Sequence, residues 1–278
     1  MVRYTILGPV GLCDGERRVA VGGPRQVALL ALLLLNANRA VSGDELIDAL
    51  WGDLGPQGAL KRLQVAVVRL RRTLDAHLVD GGPVLRTVAG GYLLEVSPGD
   101  VDADVFQARA EEGRRALQAG DAQRARKVLC EALGMWRGGA LADVAYEQFA
   151  LTEIRRLEEL RLAALESRID AELRLGEHGG LVGELESLVA AHPGRERFAA
   201  QLMLALYRCG RQADALEVYT RAHRYLSGEL GLDAGPQLKE LQRSIFDQDP
   251  ALELEPAAAT QPPADAPAAA SAIALPAA

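Results

Sequence analysis

The strongest constraint on this chain is a change of periodicity near residue 100. Residues 1–98 mix short β-like runs with helical ones, whereas everything from Asp102 to about Gln248 repeats at helical period and is dominated by Ala, Leu, Arg and Glu. One chain with two textures implies two folding units, a small α+β domain over 1–98 and an all-α domain over 102–248. The length of 278 residues agrees, since a domain takes about 150. After Pro250 a third texture begins, rich in Ala and Pro and free of aromatic residues, so residues 250–278 are expected to form a disordered tail. For the rest, 49% hydrophobic against 25% charged residues supplies a sizeable core and excludes bulk disorder.

The net charge of −7 argues at first sight against a nucleic-acid partner, but it is unevenly spread. Residues 1–98 carry 11 Lys/Arg against 9 Asp/Glu, residues 99–249 carry 20 against 26, and residues 250–278 carry three acids and no base. The balances are +2, −6 and −3, so a mildly basic first domain is hidden by an acidic second half and tail.

Within the first domain, Tyr4–Leu7 reads as a strand closed by Gly8-Pro9. Two short runs follow, Val10–Cys13 and Val19–Val21, on either side of the turn-forming Asp14-Gly15. The segment from Arg25 to Asn36 is a helix apolar almost all round, which places it centrally. Its run Val27–Leu35 is too short for a membrane span, which needs about 20 apolar residues, and lies too far inside the chain for a signal peptide. Ser42 with Glu45 makes a capping box that opens a helix ending at Leu50-Trp51. Gly52, Gly55 and Pro56 break the chain before a third helix, about Gln57 to His77, and Val84–Val88 and Tyr92–Val96 make a hairpin around Ala89-Gly90-Gly91.

The third helix carries the functional signal. With Leu60 at 0° and about 100° per residue, Leu60, Leu63, Val67, Leu70 and Leu74 form a stripe expected to be buried. Lys61, Arg62, Val65, Arg69 and Arg72 fall on the opposite arc, and Arg71 sits at the edge of the stripe with its stem expected to snorkel outward. A solvated basic face is the ordinary alternative. Three features favour DNA: acids do not intersperse as ion-paired helices require, two helices precede through short turns, and a Gly-tipped hairpin with Arg86 and Thr87 near its tip follows as a wing would.

Particular residues add a resemblance. Gly22-Gly23-Pro24-Arg25-Gln26 with the Leu-rich run to Asn36-Ala37-Asn38-Arg39, then Leu46–Gly52, Leu63-Gln64-Val65, Arg69-Leu70-Arg71-Arg72 and Gly91-Tyr92-Leu93, resemble the Streptomyces antibiotic regulatory protein family. The resemblance implies an OmpR-type winged helix that reads the major groove of double-stranded DNA, often as side-by-side protomers on direct repeats. Arg62, Ala66 and Val68 depart from the residues common there and are expected on or beside the exposed arc, so a base code is not inherited with the fold. Arg62 and Arg69 are the expected readers of base edges, and Val65 of a thymine methyl. Lys61, Arg71 and Arg72 are expected on phosphates, and Arg86, beside Thr87, in the minor groove or on the backbone. On this division Arg69→Ala changes the sequence preference and Arg72→Ala weakens all sites alike.

From Asp102 the helices come in antiparallel pairs, with Gly120, Gly176 and Gly210 each closing one. Gly176 to Gly210 is the tetratricopeptide period of 34, with a plain helical bundle as the alternative. Leu133–Leu141, His192-Pro193 with Arg195-Glu196, Gly210-Arg211-Gln212 with Asp214-Ala215-Leu216, and Leu230-Gly231-Leu232-Asp233 with Gly235-Pro236 resemble the bacterial transcriptional activation domain. That resemblance implies a domain that helps an activator oligomerise and engage RNA polymerase.

No motif for catalysis, cofactor binding or metal binding is found, so neither an enzyme nor a cofactor is expected. Glu153/Arg156 and Glu158/Arg161 read as surface ion pairs. Three scattered cysteines (Cys13, Cys130, Cys209) suit a reducing cytoplasm and are expected to fill apolar space. The reading is a mixed fold, a winged helix-turn-helix followed by an all-α tetratricopeptide-like domain and a disordered tail. It is that of a DNA-binding activator, with a tetratricopeptide-like scaffold whose winged helix binds protein as the competing reading.

Overall fold

The computed structural model describes residues 4–14, 17–52, 58–77 and 84–253. The sites expected at Gly15, Gly55, Pro56 and Gln57, and the tail from residue 254 on, lie outside the described residues. Strands β1 (Tyr4–Thr5), β2 (Gly11–Asp14) and β3 (Arg17–Val19) form an antiparallel sheet in that order. Helix α1 (Pro24–Leu35) starts on a proline, whose missing N–H is not needed in the first turn, and every residue from Ala28 to Leu34 is buried. Strand β4 (Ala40–Ser42), helices α2 (Gly43–Trp51) and α3 (Ala59–His77), and strands β5 (Leu85–Val88) and β6 (Gly91–Leu94) complete the first domain, with a second antiparallel sheet ordered β4-β6-β5. The capping box is present: the Ser42 hydroxyl accepts from the Glu45 amide at 3.1 Å, and the Glu45 carboxylate accepts from the Ser42 amide at 3.0 Å. At Gly91 a Cβ would lie 2.0 Å from the Val41 carbonyl oxygen, so only glycine lets β6 lie against β4.

The second domain consists of α4 (Asp102–Gln118), α5 (Ala122–Leu133), α6 (Leu151–Arg174), α7 (His178–Ala191), α8 (Glu196–Arg208), α9 (Gln212–Glu229) and α10 (Pro236–Phe246). Helices α4, α6 and α8 each give way to a left-handed glycine, Gly120, Gly176 and Gly210, at φ +84°, +83° and +76°. Helix pairs α4/α5, α6/α7 and α8/α9 stack as successive repeats. The same device joins them: Arg174 donates to the Leu117 carbonyl at the end of α4 at 3.0 Å, and Arg208 to the Leu173 carbonyl at the end of α6 at 2.7 Å. The expected mixed architecture, a winged helix followed by an all-α tetratricopeptide-like domain, is the one observed.

Three expectations need correction. Ile6 and Leu7 do not continue β1. The Ile6 carbonyl accepts from the Leu141 amide and the Leu7 carbonyl from the Arg137 amide, both at 2.8 Å, so this segment belongs to the joint between the domains. Cys130 and Cys209 are exposed and Cys13 half-buried, so they do not all fill apolar space. Pro250–Leu252 is not the start of a loose tail but a 3-10 turn, whose Leu252 carbonyl accepts from Arg208 Nε at 2.8 Å.

The joint is continuous with the core. The Asp102 carboxylate, at the first turn of α4, accepts from the Ile6 amide at 2.8 Å and the Leu7 amide at 3.3 Å and pairs with the Arg137 guanidinium. Its side chain is 1% exposed. Burial pushes its carboxyl above the ordinary range, against the pull of those two amides and Arg137. Asp143 accepts from the Val10 amide at 2.8 Å, and Arg25 pairs with Glu147 at 3.3 Å. One apolar core runs from β1 through α1, α2 and α3 into Phe106, Trp136, Leu141, Val144 and Leu157. A second core fills α7 to α10, and α6 borders both, with Leu157 and Ala164 on the first and Ile169 and Leu173 on the second.

Candidate nucleic-acid interface

Helix α3 is held at the surface by its buried side. Ala59, Leu63, Ala66, Val67, Leu70 and Leu74 are buried, and the Gln26 side-chain amide of α1 donates to the Ala66 carbonyl at 3.2 Å. Two residues differ from expectation. Leu60 is 58% exposed rather than part of the buried stripe, and Ala66 is buried rather than on or beside the exposed arc. The buried set therefore centres at about 290° on the helical wheel, and the exposed arc at about 110°. Lys61, Val65, Val68 and Arg72 lie nearest that centre, whereas Arg62 and Arg69 lie toward one margin.

Lys61, Arg62, Val65, Arg69 and Arg72 are all exposed, on one face. None of the four cations has an ion pair or a side-chain hydrogen bond among the described residues. Arg71 is different. It is half-buried, its Nε donates to the Leu85 carbonyl at 2.9 Å, and its Nη2 donates to the Thr87 hydroxyl at 3.2 Å. The snorkelling expected of Arg71 thus ends on β5, where two of the guanidinium donors brace the hairpin against α3. The Arg71 contact brings Thr87 and the neighbouring Arg86 to the flank of α3. Arg86 pairs with Glu95 at 3.0 Å, with both side chains about half exposed. The hairpin turns through Ala89 and Gly90, the latter at φ +79°. Val68 is exposed on this face, as expected; sequence reasoning missed Gln64, exposed beside it, which the helical wheel places inside the arc once Leu60 is removed from the core.

The arginines of the second domain are arranged otherwise. Glu153–Arg156 pairs at 2.6 Å and Glu158–Arg161 at 3.7 Å, as expected from the sequence. Arg168 lies between Glu172 at 3.2 Å and Glu184 at 2.6 Å, and Arg195 between Glu166 at 2.6 Å and Glu159 at 2.8 Å. Among the described residues no group of His, Cys, Asp and Glu side chains converges as a metal site, and no helix is long and apolar enough to cross a membrane.

Comparison with known proteins places this geometry. Residues 17–94 match the family model for the C-terminal domain of transcriptional regulatory proteins, and residues 101–246 match the bacterial transcriptional activator domain. The regulatory protein AfsR of Streptomyces coelicolor is 44% identical over 274 residues, which cover 96% of this chain and 27% of AfsR. The chain thus spans about a quarter of that relative's length. The regulatory protein DnrI of Streptomyces peucetius is 42% identical over 235 residues, 83% of this chain and 86% of DnrI. Among solved structures, Mycobacterium tuberculosis EmbR in complex with a low-affinity phosphopeptide superposes with a TM-score of 0.83 at 35% identity, covering 90% of this chain and 66% of that one. With an OmpR-type winged helix joined to an activator domain and this identity to DnrI over most of both chains, the protein belongs to the Streptomyces antibiotic regulatory protein family of transcriptional regulators.

Proposed function

We propose that this chain is a sequence-specific DNA-binding activator of antibiotic or other secondary-metabolite biosynthesis genes, acting in the cytoplasm. In this reading α3 enters the major groove, β5 and β6 flank it as a wing, and side-by-side protomers occupy direct repeats. The acidic helical domain, which repels DNA, turns to RNA polymerase. The observation that carries the reading is the set of four unpaired cations, Lys61, Arg62, Arg69 and Arg72, on one exposed arc of α3. Unpaired cations spaced along one helix face match a polyphosphate backbone and gain by releasing its counterions.

The burial pattern supports a different division of roles from the one drawn from sequence. Arg72 and Lys61, at the centre of the arc, face the base edges, and Arg62 and Arg69 face a phosphate strand from the margin. Arg71 positions the wing, and Arg86 and Thr87 approach the backbone or minor groove from β5.

Selection of bound sites from random duplex DNA with the full chain tests the reading. It should return a direct repeat bound with an affinity that falls steeply with salt. On the selected site Arg69→Ala should weaken every sequence alike and shallow the salt slope by about one unit, while Arg72→Ala relaxes preference at one position. No enriched sequence, or retention indifferent to salt, would leave the winged helix as a protein-binding module.

A further inference from the structure

We propose that Val65 and Val68 together read the 5-methyl groups of thymine, so that the centre of each half-site carries A·T pairs bracketed by the cation contacts. This inference rests on the DNA-binding reading and adds to it the chemistry of the base pairs read. Val65 is 44% exposed and Val68 46% exposed, on a helix whose other exposed positions around them are cationic or amide-bearing. Nothing in the helix itself calls for valine there. A β-branched residue at an exposed helical position is a poorer helix former than Ala, Lys or Gln, and close to half of each valine stays open to solvent.

Their placement is specific. The two lie either side of the middle of the exposed arc, three residues apart, so they are neighbours on adjacent turns at about 4.5 Å of axial rise, against about 3.4 Å per base pair, within reach of neighbouring pairs. Lys61 and Arg72 stand at the two ends of this apolar pair and Arg62 and Arg69 along one side. An occupant must therefore offer apolar surface at its centre and dense negative charge around it. In the major groove the thymine methyl is the one apolar group displayed by the base pairs, and phosphates flank it on both sides. A protein partner would have to meet four cations with carboxylates while offering an apolar knob between them. It is the alternative that the test separates.

The experiment uses the full chain and the duplex it selects. Each thymine of the site is replaced singly by deoxyuridine, which keeps base pairing and removes only the methyl. One or two positions per half-site should weaken binding about fourfold, the value of one buried methyl. Val65→Ala and Val68→Ala should each abolish the deoxyuridine penalty at one of those positions, while binding to non-specific DNA and the salt slope stay as in the parent chain. Both residues lie on the solvent side of α3, so an unchanged melting temperature verifies that the variants fold; the deoxyuridine series on the parent chain needs no variant. Specific binding with no deoxyuridine penalty, or penalties that persist in both variants, overturns the assignment and leaves the valines to a protein partner. Absence of any selected site overturns it together with the DNA-binding reading.

Discussion

Arginine does opposite work on α3 and between the helices of the second domain. On α3, Arg62, Arg69 and Arg72 stand with Lys61 on one exposed face and meet no carboxylate among the described residues. In the helical domain, arginine is a structural joint: Arg168 links Glu172 on its own helix to Glu184 on α7, and Arg195 ties the start of α8 to Glu159 and Glu166 on α6. The same residue type stands unpaired along the α3 face and is tied between helices at the α6–α7 and α6–α8 contacts. Net charge averages the two uses and conceals both. What separates them is whether acids are available at helical or inter-helical spacing, and the α3 face offers only Asp75 near its end.

The contrast can be broken in three ways. The largest effect is expected from Lys61, Arg62, Arg69 and Arg72 all changed to Ala. Specific DNA affinity should fall by about three orders of magnitude or more at moderate salt, while the unfolding midpoint stays put or rises slightly, since no native partner is lost. A marked loss of stability in that variant would mean these cations do structural work after all.

Arg168→Ala should behave in reverse. The Arg168 side chain is 14% exposed and that of Glu172 10% exposed, and removal of the cation leaves a carboxylate whose pKa burial already raises with no partner on its own helix. The expected cost is about 3 kcal/mol in denaturant unfolding, with the DNA affinity of the folded protein unchanged. Equal losses of stability and affinity would erase the distinction between the domains.

The smallest effect concerns Asp102. Its folded carboxyl holds a proton to higher pH than an ordinary Asp at 3.8, so within that window the folded state binds more protons than the unfolded one. Its contribution to stability is present below that range and is lost as pH rises through the raised value. The difference in unfolding free energy between the parent chain and Asp102→Asn, followed from acid upward, should slope down across this window and then level. Parallel profiles would show that the joint amides and Arg137 fully offset burial.

What the sequence made legible was what is encoded locally. Ser42 and Glu45 signal a helix start three residues apart, and Gly120, Gly176 and Gly210 end helices through their own backbone freedom. The repeat period showed between Gly176 and Gly210 but not before, because α6 is 24 residues long and the two 3-10 turns of 142–144 and 148–150 precede it. Leu60 misled because periodicity identifies a face but not where along a helix its neighbours stop covering it. β4 was invisible because three residues with one buried Val41 carry no alternation, and its partner β6 lies some fifty residues further on. Arg71 was read by its angle alone, although its partners Leu85 and Thr87 lie on another element. The joint at Ile6, Leu7 and Asp102 joins residues about a hundred positions apart, which no window along the chain can see.

That joint has a consequence for promoter architecture. Helix α1 is enclosed by α2 and α3 on one side and by the Ala142–Val144 and Gln148–Ala150 turns on another, so the winged helix and the first helical pair share an interior instead of hanging on a tether. On the proposed reading, each bound protomer is a stiff bracket that projects α8, α9 and α10 at one fixed azimuth around the duplex. Helical phasing then becomes part of the regulatory code. Five extra base pairs between operator and promoter, about half a turn, swing the bracket to the far side of the DNA, and about ten bring it back into line.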